Sequence, residues 1–134
     1  MESTGTNPLA GKKILFIEDD DFLRSLAVAK LEKAGFVLFA AADGKEGLEK
    51  VMTEIPDLVL LDLMLPAVDG FTVLEEMRKA EKTKTVPVVV FSNKGDEADI
   101  ERCTKLGISN YLIKANFTLD EMVKEVSEIL GAQK

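Results

Sequence analysis

From Lys12 onward, two hydrophobic patterns alternate along the chain. Short runs of β-branched and apolar residues stand at Lys12–Ile17, Phe36–Ala41, Asp57–Leu61, Val86–Phe91 and Ser109–Ile113. Each is too short for a buried helix and is bounded by charges or glycine, which predicts five strands. Between them apolar residues recur at helical spacing: Phe22, Leu23, Leu26, Ala27, Leu31 and Ala34 in the first stretch, and Leu119, Met122, Val123, Val126, Ile129 and Leu130 in the last. Five strands thus alternate with five helices. Gly35 and Gly107 fall where a left-handed residue ends a helix. Thr118-Leu119-Asp120-Glu121 reads as a capping box, with Phe117 and Met122 placed as its hydrophobic staple. Near-continuous apolar strands such as Val88–Phe91 suit a parallel sheet covered on both faces, and right-handed crossovers then give a (βα)5 doubly wound α/β layer.

The 134 residues, 46% hydrophobic and 31% charged, match one globular domain and are too few for two. Residues 1–11, small and polar with one proline, read as a flexible leader, and residues 12–132 as the domain. Seventeen Lys and Arg against 24 Asp and Glu leave a net charge of −7 with no basic block, which argues against direct nucleic-acid binding. With no histidine and a single cysteine, Cys103, zinc clusters, Ser-His-Asp triads and structural disulfides are excluded by counting. No stretch approaches the ~20 apolar residues that span a bilayer, and a signal-peptide pattern is absent, so a cytoplasmic protein is expected. The chemistry open to such a chain runs on carboxylates, hydroxyls and amines.

Those groups stand where open α/β sheets place their sites, immediately after the apolar runs. Glu18-Asp19-Asp20-Asp21 follows the first strand, Asp62 interrupts the apolar stretch Leu58–Leu65, Ser92 follows the fourth strand and Lys114 the fifth. Singly, most have two readings. An acidic run after a strand is a helix N-terminus capped by Asp20 or Asp21, or a metal site; Ser92 is a cap or a functional hydroxyl; Lys114 is a snorkelling amine or a site cation. Asp62 fits the first kind of reading worst, because a carboxylate among apolar residues is costly unless paired, metal-bound or hydrogen-bonded.

In Ile14-Leu15-Phe16-Ile17-Glu18-Asp19-Asp20, Leu60-Leu61-Asp62-Leu63-Met64-Leu65-Pro66 with Asp69-Gly70, Val90-Phe91-Ser92 and Tyr111-Leu112-Ile113-Lys114, the chain resembles the receiver domain of two-component response regulators, in the family's order from Lys12 to Leu130. The resemblance implies a flavodoxin-like five-stranded sheet of order 2-1-3-4-5. It further implies phosphoryl transfer from a phosphohistidine of a sensor histidine kinase or phosphotransfer protein to Asp62, with Mg²⁺ as cofactor. Asp19, Asp62 and the Met64 backbone carbonyl match the family's direct metal ligands, and Glu18 the residue holding metal-bound water. Lys114 and Ser92 match the groups that contact phosphoryl oxygens. Ser92 and Tyr111 match the switch pair that alters the face of the fourth helix, fifth strand and fifth helix for a downstream protein target; Tyr111 reads equally as an ordinary strand aromatic. The protein is then a phosphoacceptor signalling domain rather than an enzyme, monomeric or dimerising on phosphorylation, and either a stand-alone regulator or a receiver excised from a longer chain.

Three other readings compete. A haloacid-dehalogenase-type phosphatase also uses an aspartate and Mg²⁺, but its second aspartate two residues on is Met64 here. A flavin-phosphate-binding flavodoxin-like module needs a phosphate loop after the first strand, where this chain has four acids. A degenerate receiver is disfavoured because every site position holds a competent residue. Met64 and Lys94 match positions bordering the path of attacking water, and an apolar Met64 implies a phosphoryl group lasting minutes or longer. One departure stands out: receivers usually follow the strand-5 lysine with proline, often in cis, whereas Ala115-Asn116 follow Lys114. A cis bond before a non-proline costs ~3 kcal/mol, so a trans Lys114–Ala115 bond is expected, with Asn116 as a left-handed or turn residue.

Overall fold

The computed structural model describes residues 9–131. Of the expected leader, residues 1–8 lie outside the described residues; residues 9–11 form a turn with Leu9 packed against the core. Five strands, β1 (Lys13–Ile17), β2 (Val37–Ala41), β3 (Leu58–Leu61), β4 (Val88–Ser92) and β5 (Asn110–Ile113), alternate with helices α1 (Asp21–Lys33), α2 (Gly44–Glu54), α3 (Gly70–Lys79), α4 (Glu97–Lys105) and α5 (Leu119–Gly131). All strand pairs are parallel, in the order β2-β1-β3-β4-β5.

Successive strand side chains point to opposite faces, so the core divides in two. Leu15, Ile17, Val59, Leu61, Val88 and Val90 pack on the face covered by α2, α3 and α4, with Val51, Leu74, Met77 and Cys103. Ile14, Phe16, Leu58, Leu60, Val89, Phe91 and Leu112 pack on the other, under α1 and α5, with Ala27, Leu31, Met122 and Val126. Each fully buried Val, Leu, Ile, Phe or Met side chain contributes about 1.5–3 kcal/mol, and β1 and β3 carry apolar residues on both faces because both are covered.

The helix ends follow the sequence signals. After α1, the Gly35 amide donates to Glu32 O and the Phe36 amide to Leu31 O; after α4, Gly107 and Ile108 repeat the pattern on Thr104 and Cys103. Both glycines have positive φ, the geometry of a Schellman stop. At α5 the Thr118 amide donates to Glu121 Oε1 and the Glu121 amide to Thr118 Oγ1, which closes the capping box, and Phe117 and Met122 join the same core cluster. No described peptide bond is cis. The residues after Lys114 form a 3-10 turn, Lys114–Asn116, closed by the Phe117 amide on Lys114 O. Asn116 is thus a turn residue and not a left-handed one.

Candidate functional site

Parallel strands bring every C-terminal end to one edge of the sheet, and the order β2-β1-β3-β4-β5 puts β3 at its centre, flanked by β1 and β4. The residue after β3 is Asp62, 4% exposed. The adjacent loop is pressed against it: a Cβ at Gly70 would lie 2.4 Å from Asp62 O and 2.5 Å from Leu63 Cα, so only glycine lets α3 begin there.

Three neighbours hold the Asp62 carboxylate. Ser92, buried at the end of β4, donates from Oγ to Asp62 Oδ1 at 2.9 Å, and the Met64 amide donates to the same oxygen at 3.1 Å. Lys114 Nζ, from the end of β5, donates to Oδ2 at 3.0 Å. The same ammonium lies 2.7 Å from Glu18 Oε1 and bridges two buried carboxylates. Such a bridge is stable only because each ion has a partner; a lone buried charge costs several kcal/mol.

Electrostatics at Glu18 and Lys114 follow from that geometry. Burial pushes the Glu18 carboxyl above its ordinary value, the nearby Asp62 charge adds to the rise, and Lys114 and the Asp20 amide oppose it. Burial alone would lower Lys114, but the Glu18 and Asp62 carboxylates outweigh it and hold the amine above its ordinary value. Asp19, next in the chain and exposed, completes the acidic group: one carboxylate oxygen from each of Glu18, Asp19 and Asp62 lie within 4.8 Å of one another. Three carboxylates against one ammonium leave two negative charges in excess, a set of hard oxygen ligands suited to a divalent cation.

Asp20 takes the capping role, its Oδ1 accepting the Leu23 amide, which separates it from the acidic trio. From Asp62 a hydrogen-bonded path runs outward: the Lys94 amide donates to Ser92 Oγ at 3.2 Å, and the Tyr111 hydroxyl donates to the Lys94 carbonyl. Burial, with the surrounding negative charges, pushes the Tyr111 phenol up to about 12. Met64 is 60% exposed.

The structure brings Glu18, Asp19, Asp62, Ser92 and Lys114 together at one edge and places Tyr111 two bonds from Ser92. Two contacts were not legible in the sequence: Arg24, which donates to Glu18 O at 2.7 Å, and Asp99, 2.9 Å from Lys94 Nζ. Charged residues in the first turns of helices read as solvated, and nothing in the spacing separates these two from their neighbours.

Residues 14–127 match the model of the response regulator receiver domain family. The chain is 38% identical over 118 residues to the DNA-binding dual master transcriptional regulator RpaA of a Synechocystis species, covering 88% of this chain and 48% of that protein. It is 35% identical over 119 residues to the alkaline phosphatase synthesis transcriptional regulatory protein PhoP of Bacillus subtilis, covering 89% and 48%. The chain thus spans about half the length of these curated relatives. Among solved structures, the receiver domain of Francisella response regulator 1452 superposes with a TM-score of 0.83 at 29% identity, over 92% of this chain and all of that one. The BeF3-activated N-terminal receiver domain of Klebsiella pneumoniae RstA superposes with a TM-score of 0.79 at 28% identity, over 89% and 98%.

Proposed function

The chain belongs to the response regulator receiver domain family, and from that premise we propose that Asp62 is its phosphoacceptor. The transfer breaks the P–N bond of a partner's phosphohistidine whose ring carries a proton on its other nitrogen and forms a P–O bond to an Asp62 carboxylate oxygen; the bonding pair returns to the ring, which stays on the partner as a neutral imidazole. One observation carries the assignment: Asp62 is the buried carboxylate at the centre of the sheet edge whose two oxygens are met by a hydroxyl from β4, an amide from its own loop and an ammonium from the turn after β5.

This chain's groups then divide the work. Ser92 Oγ and Lys114 Nζ, already aimed at Asp62, are positioned to donate to phosphoryl oxygens as charge accumulates there. Asp19, Asp62 and the Met64 carbonyl would hold Mg²⁺, with Glu18 on its bound water, and the two excess negative charges of the cluster favour that ion. When bound, Mg²⁺ neutralises charge on the transferring phosphoryl group. The site acts on its own aspartate, so the domain self-phosphorylates and autodephosphorylates without turning over an external substrate.

Output runs through Ser92 and Tyr111 to the face of α4, β5 and α5, where a downstream protein docks. We assign residues 12–132 to this receiver, Ala132 lying outside the described residues, and it works in the cytoplasm with a sensor histidine kinase or phosphotransfer protein, as a monomer or a phosphorylation-dependent dimer. Among the described residues no helix is long and apolar enough to cross a membrane.

Incubation with a small acyl phosphate and Mg²⁺, followed by intact mass measurement, tests the reading. A single added phosphoryl group supports it. Continuous release of inorganic phosphate without a labelled intermediate points to a phosphatase, and no change in mass contradicts phosphoacceptance.

A further inference from the structure

We propose that Arg24 is a positioning residue of this site: it holds the Glu18–Asp19 peptide, and through it the Asp19 carboxylate, in the arrangement that binds a divalent cation. The inference rests on the metal-binding reading above. Arg24 lies early in α1 with its side chain 20% exposed. Its Nη1 donates to the Glu18 carbonyl at 2.7 Å and its Nη2 to Asp21 Oδ1 at 2.5 Å.

The Glu18 carbonyl needs such a partner. Glu18 stands one residue past Ile17, the last paired position of β1, and its amide is the final group to reach β2, on Ala41 O at 3.0 Å. No backbone amide among the described residues reaches its carbonyl, and the planar guanidinium of α1 meets it instead and holds the plane of the next peptide. On the inner side, Glu18 Oε2 accepts the Asp20 amide at 3.1 Å. The turn is thus held from both sides, by Glu18 within and Arg24 without.

Asp19 depends on that hold more than its partners do. Asp62 has three donors and Glu18 has Lys114, whereas no hydrogen bond or ion pair of the Asp19 side chain is found among the described residues. Only the backbone keeps its carboxylate within reach of the other two. If the Glu18–Asp19 peptide rotates, Asp19 swings out of the cluster.

Charge and position predict opposite signs for the loss of Arg24. A cation bonded to the Glu18 backbone repels a second cation at the adjoining acidic cluster, so removing it tightens Mg²⁺ binding if charge is all that matters. If it orients a ligand, its removal weakens binding, as loss of groups that orient metal ligands does by about 10–100-fold.

Calorimetric titration of the full chain with Mg²⁺ decides between them, with metal-free melting curves to show that each variant is folded. Arg24→Ala is expected to bind Mg²⁺ at least about tenfold more weakly than the unaltered protein. Arg24→Lys, with one ammonium for two acceptors, should fall between. Arg24→Gln serves in place of alanine if that variant does not fold, with the same expected direction. Unchanged or tighter binding by the neutral variant, beside normal binding by the unaltered chain, overturns this inference alone. An unaltered chain that binds no Mg²⁺ overturns the metal-binding reading and this inference together.

Discussion

The hydroxyl of Tyr111 donates a hydrogen bond to the backbone carbonyl of Lys94, whose amide in turn donates to Ser92 Oγ. Ser92 Oγ donates to Asp62, so three hydrogen bonds join the centre of the sheet edge to β5. A change in what Ser92 contacts alters the support of the 92–94 backbone, and Tyr111 rests on that backbone. The geometry therefore contains a hydrogen-bonded route from Asp62 to Tyr111 on β5.

Tyr111 is the sole tyrosine, and the chain has no tryptophan, so its phenol can be titrated directly. Burial raises it to about 12. An unfolded chain ionises its phenol near 10, so between about 10 and 12 the unfolded state loses its proton first. This contribution to stability is complete below pH 10 and is lost as pH rises through 12. Ultraviolet absorbance of the phenolate should show a midpoint well above that of the denatured protein. Tyr111→Phe should remove this contribution to the alkaline loss of stability; an unchanged alkaline profile would argue against a buried, bonded phenol.

Ser92→Ala deletes one donor to Asp62 while leaving those of Met64 and Lys114. The fold should survive with a loss of about 1 kcal/mol in denaturant unfolding. Phosphoryl acceptance from an acyl phosphate should slow by roughly a hundredfold, the usual effect of losing one donor to developing charge. Equal rates in rapid-quench measurements would remove Ser92 from the transfer step.

Lys114→Met should act in opposite directions on stability and on metal binding. Without Mg²⁺ it leaves Glu18 and Asp62 buried and uncompensated, at a cost of about 3 kcal/mol. Because the ammonium and the metal compete for the same carboxylates, Mg²⁺ should bind the variant more tightly, and millimolar Mg²⁺ should raise its melting temperature more than that of the unaltered protein. Equal Mg²⁺ responses would mean that Lys114 and the metal do not share ligands.

The lifetime of the phosphoryl group should be minutes or longer. The Met64 side chain is exposed and offers no group to orient water, and the Lys94 amine is committed to Asp99 at 2.9 Å. Met64→Asn should shorten the lifetime measured by loss of label; an unchanged lifetime would show that this position does not gate water.

Much of this molecule was legible before its structure, for physical reasons that also mark the limits. The strands announced themselves because both sheet faces are covered, which makes runs such as Val88–Phe91 apolar throughout. Their predicted starts at Lys12, Phe36, Asp57, Val86 and Ser109 were one or two residues early, because these residues precede the ladder pairings. Asp62 was conspicuous for the same reason the strands were: a charge stands out in an apolar run. Arg24 and Asp99 were not, since a helix surface accepts charged residues of any role, and only the folded backbone shows that one meets the Glu18 carbonyl and the other the Lys94 amine. Asn116 was expected in a left-handed or turn geometry; with the preceding peptides trans, a single 3-10 turn bridges Lys114 to Phe117, and no left-handed residue is needed there.

The central claim is that Asp62 alone accepts the phosphoryl group, and site mapping tests it most directly. The unaltered protein and Asp62→Asn are treated with acyl phosphate and Mg²⁺, and the label is located by mass spectrometry of their peptides. The account predicts one phosphoryl group on the peptide carrying Asp62 and none on the folded variant. Equal labelling of Asp62→Asn, or label on another residue of the unaltered protein, would contradict it.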